Sequence, residues 1–264
     1  MVDRVVAERY YDSQVGRKLQ DFVSSNARVD RAWETVTMWA PSEPRRILEV
    51  GCGVGGVCWR MSRRWPQAQI VGVDLSSRAV EMARALFGSP TLRFQSGPLL
   101  RGTIDGTFDL IVLIDVYEHI PLLERPAFHQ ALRELCGDGC HIILTFPTPR
   151  HLQWLRTHRL SEIQPVDEYV DAGSMLAVAV DTMTSILMYQ EVGAWRWGDY
   201  AHCVLRRGTD WPQAGSAPRT HRLCSAAARV WRRLAAWPSR TQRARLVRGR
   251  LGTKAILELR EPYA

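Results

Sequence analysis

Short apolar runs rich in Val and Ile alternate along the chain with longer stretches whose apolar positions recur at helical spacing. Strands are predicted near Arg46–Val50, Gln69–Asp74, Leu92–Gln95, Phe108–Asp115 and Gly139–Phe146, with helices between them near Gly55–Trp65, Ser77–Phe87 and Pro121–Cys136. That alternation is the signature of βαβ units and a parallel sheet. Ser76 and Ser77 offer N-cap hydroxyls to the helix carrying Val80, Met82, Ala83 and Leu86. After Pro149 the rhythm changes to a polar stretch through Asp167 and Glu168, then a helix near Gly173–Met183. Two more strands, near Ser185–Trp195 and Asp199–Arg206, are joined by the short turn Trp197-Gly198-Asp199 and so form an antiparallel hairpin. The pattern predicts a doubly wound α/β domain with a mainly parallel seven-stranded sheet and a terminal antiparallel hairpin.

Three regions follow: a helical lid over 1–45, a core over 46–207 with an acceptor-side insertion at 150–171, and a linker with a basic helical extension over 208–264. Two Pro and two Gly mark Gly208–Pro218 as the linker. Beyond it, Arg219–Ala236 and Thr241–Leu251 read as basic amphipathic helices and Ala255–Leu259 as a short strand. The net charge of +8 is unevenly spread. From Ser216 onward eleven arginines and Lys254 face only Glu258 and Glu261, a net of +10, which leaves the preceding 215 residues at −2. A near-neutral core argues against a nucleic-acid groove across it. Hydrophobic residues at 46% supply enough apolar material for a buried core. The first residues lack a secretory pattern, and no run approaches a membrane span, so a cytoplasmic location is expected. The six cysteines are scattered without paired metal-ligand spacing, as expected of free thiols, and no metal site is evident.

The chemistry concentrates in Ile47-Leu48-Glu49-Val50-Gly51-Cys52-Gly53-Val54-Gly55-Gly56, an apolar strand running into a glycine-rich turn and then a helix. Glycines let the backbone turn tightly and let a ligand approach closely. By spacing alone, Gly51, Gly53 and Gly56 also satisfy a dinucleotide fingerprint, so an NAD-dependent oxidoreductase is the rival at the level of the fold. Glu49 separates the two, because an acid two residues before Gly51 suits a cationic ligand and not a pyrophosphate. Asp74, ending the next strand, can accept from two ribose hydroxyls in either case.

Glu49 to Gly56, Val71 to Leu75 and Phe108 to Ile120 resemble the successive motifs of class I S-adenosylmethionine-dependent methyltransferases, and the resemblance spans roughly Arg46 to Arg206. It implies a Rossmann-like fold whose last strand inserts antiparallel, and S-adenosyl-L-methionine as cofactor. It further implies that Gly51, Cys52, Gly53 and Gly55 line the methionine part, that Asp74 and Leu75 hold the ribose and adenine, and that Ser96 and Gly97 flank the adenine. Asp115 and Val116 would sit below the transferable methyl. Pro98 departs from the pattern, standing where an adenine-contacting Asp often follows the third strand, which leaves backbone groups near Leu99 for that contact. In the lid, Tyr11 is a candidate cover for the cofactor, and Lys18 or Arg28 a candidate partner for its carboxylate.

A hydroxyl acceptor usually needs a base, and His119 and His151, at the open end of the sheet with Asp115, are the catalytic candidates. Packing just ahead of Pro121 is the equal alternative for His119, and a surface position for His151. Tyr117, Glu118, Trp154, Gln164, Asp167, Glu168, Trp195 and Tyr200 mix aromatic platforms with hydrogen-bonding groups, as a polar, sugar-like acceptor requires. The mixture resembles methyltransferases of bacterial polysaccharide and glycoside biosynthesis. The expected reaction is O-methylation of a carbohydrate or glycosylated metabolite. N- or O-methylation of another secondary metabolite, or a cofactor-binding scaffold without turnover, are the alternatives. The expected acceptor is a small molecule or oligosaccharide, with no nucleic acid and a monomeric or homodimeric chain. The tail, with Val230, Trp231, Leu234 and Trp237 among arginines, either packs on its own domain or contacts a membrane surface or an oligomer partner.

Overall fold

The computed structural model describes residues 4–208 and 238–252. Three helices, α1 (Arg4–Ser13), α2 (Val15–Ser24) and α3 (Ala27–Trp39), precede the core. The core then runs β1 (Arg46–Val50), α4 (Gly56–Arg64), β2 (Gln69–Asp74), α5 (Ser77–Phe87), β3 (Leu92–Ser96), β4 (Phe108–Ile114), α6 (Arg125–Leu135) and β5 (Cys136–Pro147). It closes with α7 (Pro149–His158), α8 (Ala172–Thr182), β6 (Thr184–Val192) and β7 (Tyr200–Arg207), and α9 (Arg240–Leu251) lies beyond. One seven-stranded sheet has the order β3-β2-β1-β4-β5-β7-β6. The first five strands are parallel, and β7 inserts antiparallel between β5 and β6, pairing Thr145 with His202 and Thr184 with Arg207.

Because the central strands are covered on both faces, they read as continuous apolar runs, and their two-residue period divides the core. Ile47, Ile70, Leu110 and Val112 face the layer that holds α2, α4 and α5, whereas Leu48, Ile111, Leu113 and Leu144 face the layer that holds α6 and α8. The chain winds outward from β1 to β3, returns, and winds the other way from β4. That reversal opens a crevice at the carboxyl ends of β1 and β4, the place where such sheets bind ligands. The N-terminal helices are tied to the core by polar contacts. Ser76 donates its hydroxyl to Asp12 of α1 at 2.5 Å, and Thr35 of α3 lies 2.7 Å from His202 Nδ1 on β7.

The predicted strands match closely, and the differences have local causes. The helix expected from Pro121 begins at Arg125, since Glu124 donates its N–H to the Pro121 carbonyl at 2.8 Å in a turn and Pro126 occupies the first helical turn instead. Polar residues after Pro149 form α7, capped by Thr148, which accepts from the His151 N–H. The strand expected to reach Trp195 stops at Val192, because the buried Asp199 carboxylate accepts the N–H groups of Ala194, Trp195 and Arg196 at 2.8–2.9 Å. The hairpin connection is therefore a seven-residue loop folded on one carboxylate. Helix α9 matches the second basic helix, whereas Arg219–Ala236, Ala255–Leu259 and Cys224 lie outside the described residues. The five described cysteines are buried free thiols, and no helix among the described residues is long and apolar enough to cross a membrane.

Close packing of α4 on β2 depends on Gly72, where an added Cβ would lie 2.8 Å from both Cys58 Sγ and Phe94 Cδ1. Its backbone is not left-handed, so substitution probes packing alone. Gly72→Ala is expected to destabilise the fold by about 1–3 kcal/mol, read as a lower urea midpoint with an unchanged slope.

Candidate active site

Strand β1 delivers Glu49 and the glycine loop, β2 delivers Asp74, and β4 delivers Asp115 to the same end of the sheet. The Asp74 carboxylate fixes the loop, accepting from the Gly53 N–H at 2.7 Å and from the Ser76 N–H at 2.9 Å. Each oxygen keeps a lone pair for a ligand. At Gly51 (φ 73°) an added Cβ would sit 2.2 Å from Val116 Cγ2, so only glycine allows the loop to approach the β4 turn. Gly55 (φ 82°) packs against Phe94 and Ala83, away from the open space. Asp115 adopts φ 54°, a left-handed conformation that costs a side chain about 1–2 kcal/mol. It is held there by its N–H bond to Thr145 O at 2.9 Å and by an ion pair with Arg28 at 2.7 Å.

Two cavities, of about 160 and 340 Å³, meet at Tyr11, Lys18, Gly51, Asp115 and His119. The smaller is the more charged and is lined by Glu49, Cys52, Gly53, Arg28 and Gln164. The larger extends over Asp74, Leu75, Gly97, Leu99, Val116 and Ile120, a mostly apolar slot. In the charged cavity Glu49 Oε2, Asp115 Oδ1 and Arg28 Nε are buried without hydrogen-bond partners. Burial pushes the Glu49 carboxyl up to about 8. Burial also raises the Asp115 carboxyl, against the pull of Arg28, and it disfavours the Arg28 charge, which Asp115 nevertheless holds. Unmet acceptors and a donor beside an apolar slot fit a ligand with an amino-acid head and a nucleoside body.

His119 sits in a 3-10 turn, Tyr117–His119, between both cavities, so it neither caps nor begins a helix. Its Nδ1 lies 2.8 Å from Val166 O and 3.0 Å from Asp167 Oδ1, which assigns the proton to that nitrogen and a lone pair to Nε2. Burial alone would lower the imidazole, yet Glu118 and Asp167 raise it. Burial pushes the Glu118 carboxyl itself up to about 7.

A second group of side chains lies beside Arg28. His151 stacks on Trp154 at 6.1 Å and approaches Tyr200 at 5.8 Å, while Trp195 meets Tyr200 edge-on at 5.9 Å. The Arg28 guanidinium is 5.8 Å from the Trp195 ring and 6.0 Å from that of Tyr200, whose hydroxyl it reaches at 3.4 Å. His151 is thus part of an aromatic wall, and burial lowers its basicity.

Besides Gly55, four expected ligand contacts lie elsewhere. Tyr117 is buried in the opposite core layer and donates to His129 Nε2 at 2.8 Å, in line with the bond from His129 Nδ1 to Asp181 at 2.6 Å. Glu118 is buried beneath His119 and lines neither cavity, and Glu168 spends its N–H on the Glu118 carbonyl at 2.8 Å. Ser96 is exposed at the end of β3. Sequence reasoning missed the contact of Asp167 with His119 and the hold of Asp12 on Ser76, since both join segments far apart in the chain. Among the described residues no cluster of three or more His, Cys, Asp or Glu side chains could hold a metal ion.

The sequence profile of the methyltransferase domain matches residues 11–215. The chain is 36% identical over 110 residues to malonyl-[acyl-carrier protein] O-methyltransferase of Geobacter sulfurreducens, covering 39% of each. It is 28% identical over 153 residues to norajmaline N-methyltransferase of Rauvolfia serpentina, covering 55% of this chain and 51% of that one. The chain therefore spans about two fifths to one half of the length of the curated relatives it matches. Its fold is similar to that of an S-adenosylmethionine-dependent methyltransferase from Mesorhizobium loti, with a TM-score of 0.58 at 16% identity, covering 70% of this chain and 100% of the other. Magnesium protoporphyrin IX methyltransferase from Synechocystis, solved with bound SAH, gives a TM-score of 0.52 at 20% identity, covering 75% and 86%.

The elevated Glu49 sets a pH dependence. A cationic head group needs the carboxylate, so below about 8 its binding must expel a proton. Affinity for S-adenosylhomocysteine is expected to rise from pH 6 to 8, by up to about tenfold per unit. Titration calorimetry should show this slope in the wild type and a flattened, weaker profile in Glu49→Gln. Asp167→Asn is expected to lower the His119 imidazole pKa, read by NMR of labelled histidine, because it removes one of the carboxylates that raise it.

Proposed function

The chain belongs to the class I S-adenosylmethionine-dependent methyltransferase family, and from that premise we propose that it methylates a hydroxyl of a carbohydrate or glycosylated metabolite. The observation that carries this reading is the aromatic wall of His151, Trp154, Trp195 and Tyr200, joined through Arg28 to Asp115 at the meeting point of the two cavities. When bound, the cofactor supplies an electrophilic methyl on a sulfonium. Glu49 would hold its ammonium, Lys18 its carboxylate, Asp74 its ribose, and the slot over Leu75, Gly97 and Leu99 its adenine.

Catalysis by the chain's own residues is mainly positioning, since an in-line displacement gains from fixed geometry and exclusion of water. The aromatic faces would stack on the apolar faces of a sugar ring. Asp115, held in its left-handed turn, would orient the acceptor hydroxyl. His119 Nε2 would take the hydroxyl proton, with Asp167 and the Val166 carbonyl fixing the ring. The neutral His151 stands on the acceptor side as the other candidate base.

Relatives such as norajmaline N-methyltransferase favour a second reading, an amine or another hydroxyl of a secondary metabolite. Transfer of labelled methyl from S-adenosylmethionine to a panel of glycosides, amines and carboxylic acids separates the two. A base-stable methyl ether on a glycoside is the expected product, whereas label confined to amines establishes the second reading. No transfer to any acceptor despite cofactor binding favours a scaffold. With an accepted glycoside, His119→Ala should lower kcat by about 10²–10⁴, and Trp195→Ala should raise KM about tenfold, near 1.4 kcal/mol of stacking.

A further inference from the structure

Helix α2 ends without a cap of its own making. No basic residue stands in its last turn, and Ser25 behind it has φ 74°. The last turn of a helix leaves carbonyls without intrahelical partners and a partial negative charge. Both needs are met from more than two hundred positions away. Arg243, buried on α9, donates from Nε and Nη2 to the Val23 carbonyl at 3.1 and 2.8 Å, and from Nη2 to Ser25 Oγ at 2.6 Å. Its Nη1 donates to the Pro238 carbonyl, which fixes the entry of the same helix. Burial works against this charge and lowers its pKa, so the site holds a guanidinium because the fork matches its acceptors.

The rest of α9 bridges to α5, the helix that follows Asp74. Val247 is fully buried in the core layer shared with α5, with Leu246 and Leu251 packed against that layer, and the helix contacts both α2 and α5. Helix α2 brings Lys18, Asp21 and Phe22 to the charged cavity, and the Lys18 stem passes 3.3 Å from where a Cβ on Gly53 would lie. Helix α5 follows directly on Asp74. The match to the methyltransferase domain ends at residue 215, so this bridge lies outside the portion shared with the family.

We infer that α9 is a strap across the cofactor cleft and that Arg243 is a positioning residue, holding the α2 wall and its Lys18 against the glycine loop. Helix α9 thereby supports the binding site from behind α2, a consequence that rests on the cofactor reading above.

The test uses the full-length chain and S-adenosylhomocysteine. Arg243→Gln is expected to weaken binding about tenfold in calorimetry and to speed hydrogen exchange at the amides of residues 20–25. Arg243→Lys, which keeps charge and length but loses the fork, should lie between, and Arg248→Gln, exposed on the same helix, should match the wild type in both. Loss of thermal stability with unchanged affinity overturns the proposal, as does wild-type affinity in a folded Arg243→Gln. If the glutamine variant does not fold, the lysine variant decides alone, weaker binding supporting the strap and unchanged binding overturning it. Failure of the wild type to bind would remove the cofactor reading instead, and unchanged exchange at residues 20–25 would then overturn the strap as well.

Discussion

Both oxygens of the Asp74 carboxylate are committed to backbone N–H groups, Gly53 on one side and Ser76 on the other. This one group sets the shape of the glycine loop and the start of α5, and it lines the apolar slot. Ser76 passes the constraint outward, accepting the Ala79 N–H as helix cap and donating to Asp12 of the lid. Asp115 plays the matching part at the end of β4, on the far side of β1, held in a left-handed turn and tied through Arg28 to the aromatic wall. Two carboxylates, at the ends of the strands that flank β1, therefore locate the N-terminal helices, the crevice and the acceptor side relative to each other.

The cleft holds a carboxyl whose charged form burial disfavours. Glu49 is buried with one oxygen unpartnered, and its carboxyl is pushed to about 8. A buried acid of this kind is an unfavourable element of an empty fold and a favourable one beside a cation. The Rossmann-like frame tolerates it because the layers on either side of the sheet are apolar and continuous, so the strain is confined to the crevice.

The parts of the fold that were legible in the sequence are those governed by local periodicity. β1, β2 and α5 have the bounds that their apolar patterns predict, and the antiparallel insertion of β7 agrees with the expected terminal hairpin. The structure departs from local pattern where a single polar contact overrules it, as where Asp199 gathers three N–H groups and ends β6 early. Tyr117 illustrates the same limit at the site. Val116 and His119 line the ligand crevice, but the 3-10 turn between them rotates Tyr117 into the core to meet His129, and no periodicity encodes a turn of one residue triplet. The relations of Asp167 to His119 and of Arg243 to α2 join segments 48 and 220 positions apart and become visible only in three dimensions.

The crevice between β1 and β4 suits a cationic amino-acid nucleoside and not a dinucleotide. Calorimetric titration of the purified chain with S-adenosylhomocysteine and, separately, with NADH tests this most directly. Saturable binding of S-adenosylhomocysteine at one site, with no heat from NADH, is the predicted result. Binding of NADH alone would contradict the account, since it would place a pyrophosphate beside Glu49.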